Sequence, residues 1–256
     1  MTINPFDPMP AYLQIADALR RKIKEGDLPD GAALPSVRKL VDEFGTAQGT
    51  VRQAIEQLKS EGLVVARQGS GVFVRTPRRL RRMGSTRHLR SRRPAATAAL
   101  EAEAAGQGFE RSSELTEVSS VPAPPPVAER LGVPEGTNIV RRHYLLSIDG
   151  VVAQVAHSYF THELADGTAL AERTKPANGT HGYLIDELGL ALDIALEELV
   201  ARMPTPQETT TLRLVPGTPV VELIRTIYAK DEQPVEVTIF VFAADRHSFT
   251  YIVPLD

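Results

Sequence analysis

The chain has no cysteine and no tryptophan, and aromatic residues make up only 5% of its 256 positions. The missing cysteine excludes disulfide frameworks, thiolate zinc fingers and thiol nucleophiles. No apolar run approaches the roughly 18 residues that a membrane span needs. The first ten residues, Met1 to Pro10, lack the basic and apolar segments of a secretory leader. A soluble, cytoplasmic protein without a membrane partner is therefore expected. The six histidines are scattered, and the closest approach, His157 and His162, crosses a strand end. No nucleophile–base pair or metal-ligand cluster emerges, so no catalytic residue, metal or cofactor is expected.

Charge is present, but unevenly. Residues 1–93 carry 18 Lys and Arg against 9 Asp and Glu, whereas residues 94–256 carry 11 against 23. A basic front half joined to an acidic rear half suggests a polyanion-binding module attached to something else. The length is enough for two ordinary domains.

The basic half is patterned for helices. Tyr12, Ile15, Leu19 and Ile23 recur at helical spacing over residues 11–25, with Gly26 as the stop. Ser36 is placed to cap a second helix over 37–44. After Gly45-Thr46, a third helix over 47–61 buries Val51, Ala54, Ile55 and Leu58. Two β-prone runs, 63–66 and 72–75, flank the glycine-bearing tip Arg67-Gln-Gly-Ser-Gly71. These elements spell a mainly α winged helix-turn-helix with a two-stranded wing, over residues 1–76. Residues 77–94 follow as a basic linker, and 76–94 hold eight arginines. This stretch reads as a solvated tether that also contacts phosphate.

From residue 95 the pattern becomes α+β. A strand from Thr137 to a turn at Asp149-Gly150 returns over 151–161. A second strand, Val220 to Lys230, turns at Asp231-Glu232 and returns over 235–243. The Gly-Thr pairs before the two hairpins lie 81 residues apart, and the turns 82. Helices are expected over 163–171, 182–188 and 205–212. The result is an antiparallel sheet covered on one side, with a cleft between similar halves.

Several blocks resemble the GntR family DNA-binding domain in order and spacing: Tyr12-Leu-Gln-Ile15, Leu34-Pro-Ser-Val-Arg-Lys-Leu40, Thr50-Val-Arg-Gln-Ala54, Glu61-Gly-Leu63 and Gly69-Ser-Gly-Val-Phe-Val74. Residues 95–256 are similar to the UTRA effector domain of the HutC-like subfamily, through Ser158-Tyr159, Pro234-Val-Glu236 and Ala244-Asp-Arg246. The resemblance implies a chorismate lyase-like fold and a pocket. It also implies a homodimeric transcription regulator, a repressor released from a palindromic operator on double-stranded DNA by a small-molecule effector. Two alternatives stay open: a DNA-organising or plasmid-maintenance protein with a ligand-free dimerisation domain, and a lyase-like enzyme.

Gln48, Gly49, Thr50, Arg52 and Gln53 sit at the start of the recognition helix, where polar side chains reach base edges. The resemblance adds Ser36 and Arg38 from the preceding helix, and Arg67, Gln68 and Gly69 from the wing. Family members commonly read Ser-Arg-Thr-Thr-Val-Arg where this chain reads Ala47-Gln-Gly-Thr-Val-Arg52, which changes the bases read. For the effector, Arg142 and Tyr144 share a strand face, Ser158 and Glu236 match family positions, and Phe242 stands where tyrosine is frequent. His181 begins a helix, where backbone N–H groups bind anions. Tyr144 and Leu146 replace the basic residues of sugar-phosphate-sensing relatives, so a less charged or more apolar effector is expected.

Overall fold

A computed structural model of the chain describes residues 3–67, 69–75, 78–84, 101 and 103–253. The described residues form two compact units, one running to Arg78 and one from Arg79 onward, the 214–218 turn aside.

The first unit follows its local signals closely. Helices α1 (Ala11–Glu25), α2 (Val37–Phe44) and α3 (Gln48–Ser60) appear at the expected places. Gly26 and Gly45 end the first two in the left-handed region, at φ 88° and 61°, which glycine adopts without strain. The Ser36 side chain accepts from the Lys39 N–H at 3.3 Å, a cap that contributes about 1 kcal/mol. Ile15, Leu19, Leu40, Phe44, Val51, Ala54 and Leu58 close one core. Strands β1 (Val64–Arg67) and β2 (Gly71–Val74) pair antiparallel, Val64 opposite Val74 and Arg67 opposite Gly71. Residues 32–34 grip the far edge of β2: the Leu34 N–H donates to Val72 at 2.7 Å and the Val74 N–H to Ala32 at 2.8 Å. The wing is thus the outer part of a small sheet tied to the helices.

The second unit is a six-stranded antiparallel sheet. In chain order its strands are β4 (Arg111–Pro122), β5 (Asn138–Ile148), β6 (Val151–Thr161), β7 (Leu192–Arg202), β8 (Val220–Ala229) and β9 (Pro234–Ala243). In space they run β4-β5-β6-β9-β8-β7. Helix α4 (Pro125–Leu131) links β4 to β5, and α7 (Pro206–Thr211) links β7 to β8. Between β6 and β7 lie α5 (His162–Ala165) and α6 (Gly179–Asp186). The order strand, helix, strand, strand therefore occurs twice, and β6 meets β9 at the centre. Ladder irregularities fall at matching places, between Leu146 and Ser147 in one hairpin and between Ile227 and Tyr228 in the other. These bulges make Leu146 equivalent to Ile227, and Gln154 equivalent to Glu236, their respective ladder partners. With the 82-residue offset on the central strands, the pseudo-dyad passes through the facing pair His157 and Ile239.

Several expectations are corrected. The sheet is covered on both faces. Ile139, Tyr159 and Val237 pack with Val127, Ala128 and Leu131 of α4. The adjacent Val140 and Phe160 face the other way and pack with Ala165, Leu170 and Leu184. A centrally placed β6 buried on both sides accordingly reads as a nearly unbroken apolar run. The helix expected over 163–171 is a single turn, and the one over 182–188 begins at Gly179. The helix at 205–212 is found, with Thr205 and Glu208 forming a reciprocal capping box. Most consequential, the expected linker contains strand β3 (Leu80–Met83), which pairs parallel with β10 (His247–Thr250) inside the second unit. Leu80 and Arg82 point inward and Arg81 outward. The rest of the arm, residues 85–94, lies outside the described residues.

Candidate functional sites

On α3 the buried stripe of Val51, Ala54, Ile55 and Leu58 leaves one face to solvent. That face carries Gln48, Gly49, Arg52 and Gln53 exposed, with Thr50 half-buried beside them. Arg38 is exposed on α2, in the first turn of the helix that Ser36 caps. Gly49 has ordinary helical geometry and no atom within 4 Å of where a Cβ would stand. Its glycine serves neither the backbone nor the core. At the wing, the Arg67 guanidinium lies 4.4 Å from the centre of the Phe73 ring, and Gly69 turns at φ 73°. Gln68 lies outside the described residues. The Arg20 guanidinium donates to both carboxylate oxygens of Glu61, at 3.0 and 2.8 Å, and so ties α1 to the end of α3.

In the second unit Arg142, Ser158, Thr238, Arg225 and Glu197 stand opposite one another across five strands. Arg142 is fully buried. It donates to the carbonyls of Ala169, Leu170, Glu172 and Thr174 at 2.5–2.9 Å, and through Nε to the Tyr144 hydroxyl at 2.9 Å. It fastens the 169–174 loop to the sheet, and Tyr144 is its partner. The Ser158 hydroxyl donates to Thr238, and Thr238 to Glu236, each at 2.8 Å. The other Glu236 oxygen accepts from His181 Nε2 at 3.0 Å. Burial pushes the Glu236 carboxyl upward. His181, Thr238 and Arg225 together outweigh that and hold it below the ordinary carboxylate value. His181 thus turns its ring to Glu236.

At the opposite end of the same face, sequence reasoning missed a second cluster. A concavity is lined by Leu80 and Arg82 of β3, Glu103, Arg111 of β4, residues 146–148, Ala153, Gln154 and His247. Arg82 is buried, donates to Gln154 at 2.5 Å, and lies 4.7 Å from the centre of the Phe242 ring. Phe242 meets His247 and Phe249 edge-on, both at 5.0 Å. Burial and the charges of Arg82, Arg246 and Arg111 push His247 down to about 3, against a bond to the Ala243 carbonyl. Arg82 was hidden by its run of arginines; the inward spacing of Leu80 and Arg82 was the available signal. Arg111 gave none.

The sequence matches the family described as bacterial regulatory proteins, gntR family, over residues 11–74, and the UTRA domain over residues 106–248. The chain belongs to the GntR family of transcription regulators. It fits the HutC-like, UTRA-bearing subfamily. An uncharacterized HTH-type transcriptional regulator of Streptomyces coelicolor is 33% identical over 247 residues, covering 94% of this chain and 92% of its own length. The HTH-type transcriptional repressor NagR of Bacillus subtilis is 25% identical, covering 98% of both. A crystal structure of a GntR-family transcriptional regulator superposes with a TM-score of 0.69 at 28% identity, over 97% of this chain and 99% of that one. The regulator thus couples a sequence-specific DNA-binding unit to an effector-binding domain. Among the described residues, no helix is long and apolar enough to cross a membrane, and no group of three or more metal-ligating side chains occurs.

Proposed function

We propose that the regulator is a homodimeric, cytoplasmic repressor whose winged heads bind a palindromic operator and leave it when a small molecule enters the UTRA domain. The exposed row of Gln48, Gly49, Arg52 and Gln53, backed by a fully buried stripe, carries this reading. Arg52 supplies a fork that pairs bidentately with guanine, and glutamine pairs with adenine. Ser36 and Arg38 lie at the start of the supporting helix, where phosphate contacts fix its register. Arg67 and Gly69 lie at the wing tip. That the relatives include a repressor, NagR, supports the direction of control.

Strand β7 supports the dimer. It is an edge strand, and Ile194, Leu196, Leu199 and Val200 are all exposed on it, Ile194 by 59%. An apolar edge left open is a template for self-association. The effector would lie on the sheet face that carries Tyr144, Ser158 and Phe242. Arg142 acts there by holding the 169–174 loop.

The test is a nuclease footprint on the DNA flanking the regulator's own gene, with sedimentation of the same samples. The wild type should protect two symmetric half-sites as a dimer. Arg52→Ala should remain dimeric and lose the footprint, a loss of tenfold to a hundredfold in affinity, or about 1–3 kcal/mol. An unchanged footprint overturns the assignment of α3.

A further inference from the structure

One row of side chains crosses all six strands of the UTRA sheet on the face that α4 covers: Glu117, His143, His157, Ile239, Ile224 and Glu198. The pseudo-dyad passes through the middle of this row. At the 81- and 82-residue offsets His143 and His157 are therefore equivalent to Ile224 and Ile239, and the two outer glutamates to each other. On the isoleucine side the row is ordinary core, packed with Val127, Ala128 and Leu131 of α4. On the histidine side α7 carries Glu208 where α4 carries Val127, and none of its residues is buried. The repeated frame has thus exchanged two isoleucines for two imidazoles, without an apolar helix face to cover them.

Both imidazoles are half-buried, and their ring centres lie 4.7 Å apart, with the planes inclined by 36°. Two rings that share one ion through nitrogens at about 2.0–2.1 Å hold their centres roughly 4.5–5.2 Å apart, for coordination angles from square to tetrahedral. The Thr116 hydroxyl donates to the His143 carbonyl at 3.2 Å and lies 2.9 Å from Nδ1 of the same residue. With its proton so placed, the hydroxyl accepts from Nδ1–H and leaves the Nε2 lone pair of His143 open. Such an outer partner fixes the tautomer of a ligating histidine. His157 makes no hydrogen bond among the described residues. Burial, with the charge of Arg141 nearby, pushes both imidazoles below the ordinary histidine value, so both are neutral at pH 7, the form that binds metal.

We propose that His143 and His157 form a two-imidazole site for a divalent transition ion such as Zn²⁺ or Ni²⁺. Imidazole nitrogen suits these ions. No cluster of three or more ligating side chains occurs among the described residues, so water fills the remaining coordination positions. Along the chain the histidines look scattered; only the β5–β6 ladder sets these two face to face. An ion that bridges the two strands braces the hairpin whose opposite face carries Tyr144 and Ser158.

The experiment is a zinc titration of the full chain, first stripped with a chelator, followed by calorimetry and by thermal unfolding. The wild type should bind an ion that raises Tm saturably, as a ligand of the folded state does. His143→Ile and His157→Ile install the residue of the equivalent position, and each should weaken this binding at least tenfold. His157→Gln keeps a polar side chain and repeats the test should an isoleucine variant fail to fold. His162→Gln removes the one-turn pair with Asp166 and should leave the zinc response unchanged. Copper(II) bound to the wild type should show magnetic coupling to two imidazole nitrogens, and to one in each variant of the pair. Coincident zinc responses in the wild type, His143→Ile and His157→Gln overturn the proposal. So does a response lost in His162→Gln, or copper coupled to a single imidazole in the wild type.

Discussion

Gln154 and Glu236 occupy equivalent positions, each beside the bulge in its ladder, and each is held by a side chain from outside the hairpin. Arg82 donates to the amide and His181 to the carboxylate. One repeat keeps a carboxylate that accepts from His181 and ties α6 to the sheet, while the other keeps an amide that accepts from Arg82.

The tie at Glu236 predicts a stability change with a defined pH sign. The Glu236 carboxyl is held below its ordinary value when folded, so its contribution is present above about pH 4.5 and is lost as pH falls through the folded value. Glu236→Gln should lower stability at pH 7 by about 1–3 kcal/mol, because it weakens a buried charge-assisted bond. It should also flatten the loss of stability below pH 4.5. Urea denaturation at pH 7 and pH 4 measures both, and a variant with the wild-type acid dependence would contradict the role given to His181.

The DNA-binding unit was legible because its signals are local. Helical spacing, Ser36 and the closing glycines each act within one turn, so the order of elements followed without tertiary knowledge. β4 and β7 were not anticipated. β7 reads Leu-Asp-Ile-Ala-Leu-Glu-Glu-Leu-Val-Ala-Arg, whose leucines also suit a helix, and only pairing with β8 makes it a strand. β4 is largely polar because it is an edge. Glu236, Ser158 and Phe242 do face one side of the sheet with Arg142, as alternation requires. The bonds of Arg142 and the bond from His181 to Glu236 depend on the 162–190 segment, whose path no short-range pattern specifies. Arg82 illustrates the same limit, since β3 exists only through β10, more than 160 residues further on.

Gly49 separates folding from recognition. Nothing in the unit lies near its missing Cβ and its φ is not left-handed, so Gly49→Ala should stabilise α3 by up to about 1 kcal/mol. If the open position admits DNA backbone or a base edge, the same change should weaken operator binding. Thermal unfolding and a gel-shift titration should then move in opposite directions. A variant that is more stable and binds as tightly would show that the glycine plays no part in recognition.

His247 gives the UTRA domain a second pH dependence, of different range. Its pKa falls to about 3 when folded, against 6.5 for a free imidazole. The unfolded chain therefore takes up a proton that the folded chain refuses, and stability declines as pH falls from 6.5 toward the folded value. The slope is up to about 1.4 kcal/mol per pH unit for this residue. His247→Asn keeps a donor for the Ala243 carbonyl and removes the titration. Between pH 6 and 4.5, where the contribution of Glu236 is nearly constant, the variant should lose stability more slowly than the wild type. Parallel curves would mean that His247 is protonated in the folded state.

Adjacent arginines of β3 should behave oppositely toward DNA. Arg81 is exposed and, with the exposed Arg79 before it, is available to phosphate; Arg82 is buried against Gln154 and Phe242. Each phosphate contact removed reduces the slope of log affinity against log salt by about 0.9. The Arg79→Gln, Arg81→Gln double variant should therefore weaken binding to operator and unrelated DNA alike, and flatten the slope by up to about 2. Arg82→Gln should leave the slope unchanged. A flattened slope for Arg82→Gln would place that side chain on DNA and return the whole of residues 77–94 to the role of a basic arm.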